Sequence, residues 1–101
     1  MVCDLTYDQD VATITVEGLI TVDNASKFQQ KLDEVKKSDV KKLNIDLAKC
    51  QAISSVGIGK LLMFHKDFHQ KNKHIEIIKC SMPIYELFMT IKLNQLITIS
   101  L

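Results

Sequence analysis

Apolar and polar side chains alternate most cleanly in Val11-Ala12-Thr13-Ile14-Thr15-Val16, which predicts a strand over Val11 to Glu17 with one face buried. A first strand is predicted over Cys3 to Tyr7, joined to the second through a hairpin turn at Asp8-Gln9-Asp10. Gly18 is expected to end the second strand, after which Asp23 or Asn24 caps a helix over Ala25 to Lys37. Ala25, Phe28, Leu32 and Val35 form one stripe of that helix, and its other positions are mostly charged or amide side chains.

The pattern then reverts to a strand at Leu43 to Leu47, expected in the interior of a sheet, with Ala48 to Ile53 as a link. A second helix from about Val56 to Gln70 packs through Ile58, Leu61, Leu62, Phe64 and Phe68. His74 to Lys79 is another strand, Pro83 opens a short helix carrying Ile84, Leu87, Phe88 and Ile91, and Leu96 to Ile99 closes the chain as a strand. Strands separated by helices of this length require crossover connections. The expected architecture is therefore α/β, a mostly parallel sheet with helices packed against it, in a single domain spanning the 101 residues.

Composition adds mainly exclusions. With 13 basic and 12 acidic residues the formal charge is +1, and the cluster Lys36, Lys37, Lys41 and Lys42 is interleaved with Asp33, Glu34 and Asp39. That is a solvated helix end, and no nucleic-acid partner is expected. Cys3, Cys50 and Cys80 are odd in number and widely spaced, which favours reduced thiols and a cytoplasmic location. No apolar stretch is long enough for membrane insertion.

The segment Ser54-Ser55-Val56-Gly57-Ile58-Gly59 stands at the strand-to-helix junction, where hydroxyls meet unpaired amides of a helix N-terminus. Its glycines do not complete a dinucleotide fingerprint, and no phosphate loop or Gly-x-Ser-x-Gly elbow exists. No cofactor and no catalytic centre are expected. Close helix–sheet approach accounts for Gly57 and Gly59, while either Ser54 or Ser55 caps the helix. The functional alternative for Ser55 is phosphorylation, which adds charge at a site the helix dipole favours.

His65 and His69 have the four-residue spacing of a metal chelate, but His65 falls within the apolar arc and neither His-Glu-x-x-His nor a completing ligand surrounds them, so no metal is expected. Met63, among Lys60, Asp67 and Gln70, is either a soft partner contact or an isolated exposed apolar residue. Cys50 is expected in the loop before the serines as a small, partly buried side chain. Asp46 is a candidate to orient the amides of that loop.

Asp46-Leu47-Ala48 through Ser54-Ser55-Val56-Gly57-Ile58-Gly59 resembles the Asp-Leu-Ser, spacer, Asp-Ser-Ser-Gly-Leu-Gly signature of STAS domains, specifically the small bacterial anti-sigma factor antagonists. Pro83 to Leu96 is similar to the last helix of that family and its Gly-Leu turn. The resemblance implies a non-enzymatic binding module whose partners are an anti-sigma factor that is also a serine kinase, and a phosphatase. It implies Ser55 as phosphoacceptor, with Ser54 as the alternate. The partner-facing surface would hold Asp23, Asn24, Ser54, Ser55, Val56 and Gly57, together with Lys60, Met63, Phe64 and Asp67 of the second helix. The sequence differs from the family pattern at Ser54, which replaces an acidic residue, at Val56, which replaces a hydroxyl, and at Lys92, which replaces a glycine. Related STAS domains serve as unphosphorylated accessory subunits of lipid-transport or stress-signalling complexes, the alternative role implied for this chain.

Overall fold

The computed structural model describes residues 1–101. Strands β1 (Val2–Asp8) and β2 (Val11–Ile20) form the expected hairpin, and helix α1 (Ala25–Lys37) follows. Then come β3 (Lys42–Ile53), α2 (Ser55–Gln70), β4 (His74–Cys80), α3 (Met82–Thr90), a 3-10 turn at Leu93–Gln95, and β5 (Thr98–Ile99). The five strands lie in the order β1-β2-β3-β4-β5. Only the β1–β2 pair is antiparallel.

One face of the sheet carries Ala12, Ile14 and Val16 of β2, Leu43, Ile45 and Leu47 of β3, and Ile75 and Ile77 of β4, all buried. The helices cover this face. The stripe Ala25, Phe28, Leu32 and Val35 of α1 is buried as its spacing predicts, and no polar or charged residue belongs to the buried set. Burying each of the larger side chains stabilises the fold by roughly 1.5–3 kcal/mol relative to exposure. The opposite face is a polar ladder in which Thr6, Thr13, Asn44, Glu76 and Thr98 run across successive strands. There Lys42 bonds Glu76 at 3.0 Å, and Lys49 approaches Glu17 at 3.6 Å.

Four expectations change. Gly18 does not end β2; it takes φ +100 within the strand, beside a register shift, and the strand continues to Ile20. Residues 48–53 are strand instead of link, because β3 absorbs extra residues against β2 between Thr15 and Glu17 and again between Gly18 and Leu19. Asp46 Oδ1 accepts the Ala48 amide at 3.0 Å within the first of these irregularities, so it orients strand backbone and not the serine loop. The terminal strand is only Thr98–Ile99; Leu93 to Gln95 form the 3-10 turn and Ile97 is buried ahead of the strand.

Lys92, where the family has glycine, sits in the left-handed region at φ 63 and ψ 30. That conformation strains any residue with a Cβ. Lys92→Gly is expected to raise stability by roughly 0.5–1 kcal/mol. Urea unfolding measures it, and an unchanged or lower midpoint would show that the turn carries no such strain.

Candidate functional site

Because β2, β3 and β4 are parallel, the helices that follow them, α1, α2 and α3, all begin at the same edge of the sheet. Two serines and an asparagine stand at those starts. Asn24 occupies the N-cap position of α1, but its side chain turns back into the loop: Oδ1 accepts the Thr21 amide at 2.7 Å and Nδ2 donates to Leu19 O at 2.9 Å. Ser81, ahead of α3, donates from Oγ to Cys50 O at 2.6 Å. Asp23 is exposed beside Asn24.

Ser54 and Ser55 divide the two roles left open for them. The Ser54 amide donates to Ile20 O at 2.8 Å, and Ser54 Oγ accepts the Gly57 amide at 3.2 Å, capping α2. Ser54 is half-buried and committed to structure. Ser55, the first residue of α2, is exposed. The amides of Ser55 and Val56 lie in the first turn, where no intrahelical acceptor exists.

At Gly57 the helix packs too closely on the sheet ends to admit a side chain. A Cβ there would lie 2.8 Å from Ile20 Cγ2 and 2.9 Å from Ile53 Cγ1. Gly59 is different: a Cβ there would meet nothing within 4 Å, so close packing explains only the first of the two glycines.

Apolar residues are exposed at this edge of the sheet: Val56 follows Ser55, and Leu19, near the end of β2, and Val22, in the β2–α1 connection, are 48% and 65% exposed. Leu19 and Val22 were not singled out from the sequence. The available signal was Val22, an apolar residue between Thr21 and Asp23 in a connection with no reason to bury it.

The remaining expected contacts separate into surface and support. Met63 is 63% exposed. Lys60 donates to Gln29 of α1, and Asp67 bonds Lys36 of α1 at 3.1 Å, so both tie the two helices together. Phe64 is 1% exposed and Gly57 is buried. Gly57 has no side chain to present, and Phe64 packs between α2 and α1, reaching the surface only at the floor of a cleft between the two helices. Phe64 stacks near Phe68 with ring centroids 4.6 Å apart.

His65 and His69 stack at 5.6 Å between centroids. Burial, then the neighbouring His69, lowers the pKa of His65. No group of three or more His, Cys, Asp or Glu side chains is placed to hold a metal ion. Cys50 lies buried in β3 and donates to Ala52 O at 3.3 Å; burial raises its pKa, as it does that of Cys80, and pushes Cys3 up to about 11. No helix is long and apolar enough to cross a membrane.

With this geometry in view, the family model described as "Mlab, STAS domain" matches residues 3–98. A comparison by sequence with curated proteins finds no match. Among solved structures, an anti-sigma factor antagonist from Mycobacterium paratuberculosis superposes with a TM-score of 0.88 at 17% identity, covering 97% of this chain and 83% of that one. The Bacillus cell fate determinant SpoIIAA in its phosphorylated form gives 0.78 at 12% identity, covering 99% and 92%. The SulP transporter STAS domain from Vibrio cholerae gives 0.70 at 15% identity, covering 95% and 77%.

The division of labour at the helix start has measurable consequences. Ser54→Ala is expected to cost about 1 kcal/mol through loss of the cap, and Ser55→Ala less than about 0.5 kcal/mol. Gly57→Ala, in spite of alanine's better helix propensity, is expected to cost about 1–3 kcal/mol by forcing apart Ile20 and Ile53. Urea unfolding of the variants checks all three. Equal losses at Ser54 and Ser55 would contradict the assignment of the cap.

Proposed function

The chain belongs to the STAS domain family, and on that premise we propose that it works as an anti-sigma factor antagonist in a cytoplasmic partner-switching pathway. STAS domains are non-catalytic signalling modules. In its unmodified form the chain binds an anti-sigma factor that is also a serine kinase. Phosphorylation of Ser55 by that partner releases it, and a phosphatase restores binding.

One observation carries this reading: Ser55 presents an exposed hydroxyl at the N-terminus of α2, beside the exposed Val56 in the chain and at the same sheet edge at which Leu19 and Val22 are exposed. In the free chain a phosphate on Ser55 meets water and unpaired amides. Under a partner the same charge, about −1.5 to −2, must be desolvated. The modification therefore opposes association far more than folding. Ser54 is the poorer acceptor because its oxygen already caps the helix.

A second reading is favoured by the likeness to a transporter's STAS domain and by Val56 in place of a hydroxyl: an accessory subunit that is never phosphorylated. Affinity capture from the source organism, with the unmodified chain and Ser55→Asp compared by mass spectrometry, separates the two. The switch predicts an ATPase of the kinase type held by the unmodified chain and recovered at least about tenfold less with Ser55→Asp, a change equal to about 1.4 kcal/mol. Recovery of one complex by both forms would establish the accessory role. Absence of such an ATPase would remove the switch.

A further inference from the structure

Glycine in a helix interior is less favourable than alanine unless the backbone or a neighbour demands it. At Gly57 the neighbours demand it. At Gly59 neither condition holds: its φ is not positive, and nothing lies within 4 Å of the position a Cβ would take.

The space over Gly59 belongs to a cleft of about 360 Å³ between α1 and α2. Leu32 and Phe64, at most 2% exposed, reach its lining from the core. Val56 and Met63, both exposed, contribute its apolar surface. Its polar lining includes Asp33, Lys36, Lys60 and Asp67, whose formal charges cancel. Lys36 is bonded to Asp67 at 3.1 Å and lies 4.0 Å from Asp33, while Lys60 donates to Gln29. With two cations and two carboxylates the lining has no net charge, so the cleft favours neither sign of ion and suits an uncharged guest. Val56 lines the cleft and follows Ser55 in the chain, so the cleft opens one residue from that hydroxyl.

We infer that the α1–α2 cleft is the anchor pocket of the partner interface, receiving one uncharged aromatic or long aliphatic side chain, with Gly59 left bare so that this side chain reaches the helix backbone. The inference rests on the reading that a protein partner covers Ser55. Large apolar anchors seated in a pocket at an interface commonly carry most of the binding energy. Val56, which departs from the family's hydroxyl, is then a wall of the pocket, and Met63 a second wall able to adapt its shape to the anchor.

The test has two arms, both on the full chain. In the first, indole and 4-methylphenol, which mimic tryptophan and tyrosine side chains, are titrated into isotopically labelled protein and followed by NMR. Saturable shifts are expected at the Gly59 amide and the Met63 methyl, with a Kd on the order of 1 mM for ligands of this size. Gly59→Leu fills the cleft with a good helix former, so the urea midpoint is expected to rise while the shifts disappear. Absence of saturable shifts at the cleft, or their persistence in Gly59→Leu, would overturn the pocket.

In the second arm, Gly59→Leu is compared with Ser55→Asp for binding to the ATPase recovered by the unmodified chain. The pocket predicts at least about tenfold weaker binding by Gly59→Leu, the scale expected when a seated side chain is excluded. Release by Ser55→Asp alone, with Gly59→Leu binding within about twofold of the unmodified chain, would overturn the pocket and leave the switch standing. If no ATPase is recovered, the switch fails, and the NMR arm by itself decides whether the cleft accepts an apolar group.

Discussion

The contact on which the site depends is the seating of the first turn of α2 against the ends of β2 and β3. Gly57 has no side chain where any Cβ would lie under 3 Å from Ile20 and Ile53. The Ser54 amide is tied to the carbonyl of Ile20, and the Ser54 oxygen is tied to the amide of Gly57. One residue, Ile20, thus contributes both the surface that demands glycine and the carbonyl that holds the cap. With the turn pinned on its inner side, Ser55 and Val56 point away from the sheet, and the remaining turns run beside α1, whose side chains Gln29 and Lys36 bond to Lys60 and Asp67.

The seating requires the strand ends to arrive at the right places, and there the regular alternation of the strands breaks down. β3 buries Leu43, Ile45 and Leu47 at every second position, then Cys50 and Ile53 at every third. The change of period comes from the extra residues that β3 carries opposite β2. A strand with bulges loses the period of two by which strands are recognised. This is why the alternation of β2 and the stripe of α1 were legible in the sequence, whereas residues 48–53 read as a link. Gly18 misled for a related reason: glycine is a terminator in most contexts, but here its positive φ serves a bend within a continuing strand.

At the site itself, the sequence located the serine pair and pointed to Ser55 for modification, without deciding which of the two caps the helix. Either hydroxyl could cap a helix, and only the position of Ile20 across the sheet selects Ser54. Phe64 carried two expectations, a packing residue of α2 and a partner contact; it is buried, with α1 beside it, a tertiary relation with no local signature. The two glycines behaved similarly. They share one motif, yet one is required by a collision and the other faces open space. Spacing alone carries no information about what lies opposite.

The departures from the family pattern follow from the same geometry. Replacing an acidic residue by Ser54 exchanges one good N-cap for another, so the helix start is preserved while a negative charge is removed. A phosphate on Ser55 would then meet no carboxylate on the residue before it, and would gain from the helix dipole and the unpaired amides. The free chain would accept the modification at little cost, whereas a partner packed over this helix end would have to pair or desolvate the added charge. In the proposed switch, that asymmetry is what would let one hydroxyl change a partner's affinity while the fold beneath it stays the same.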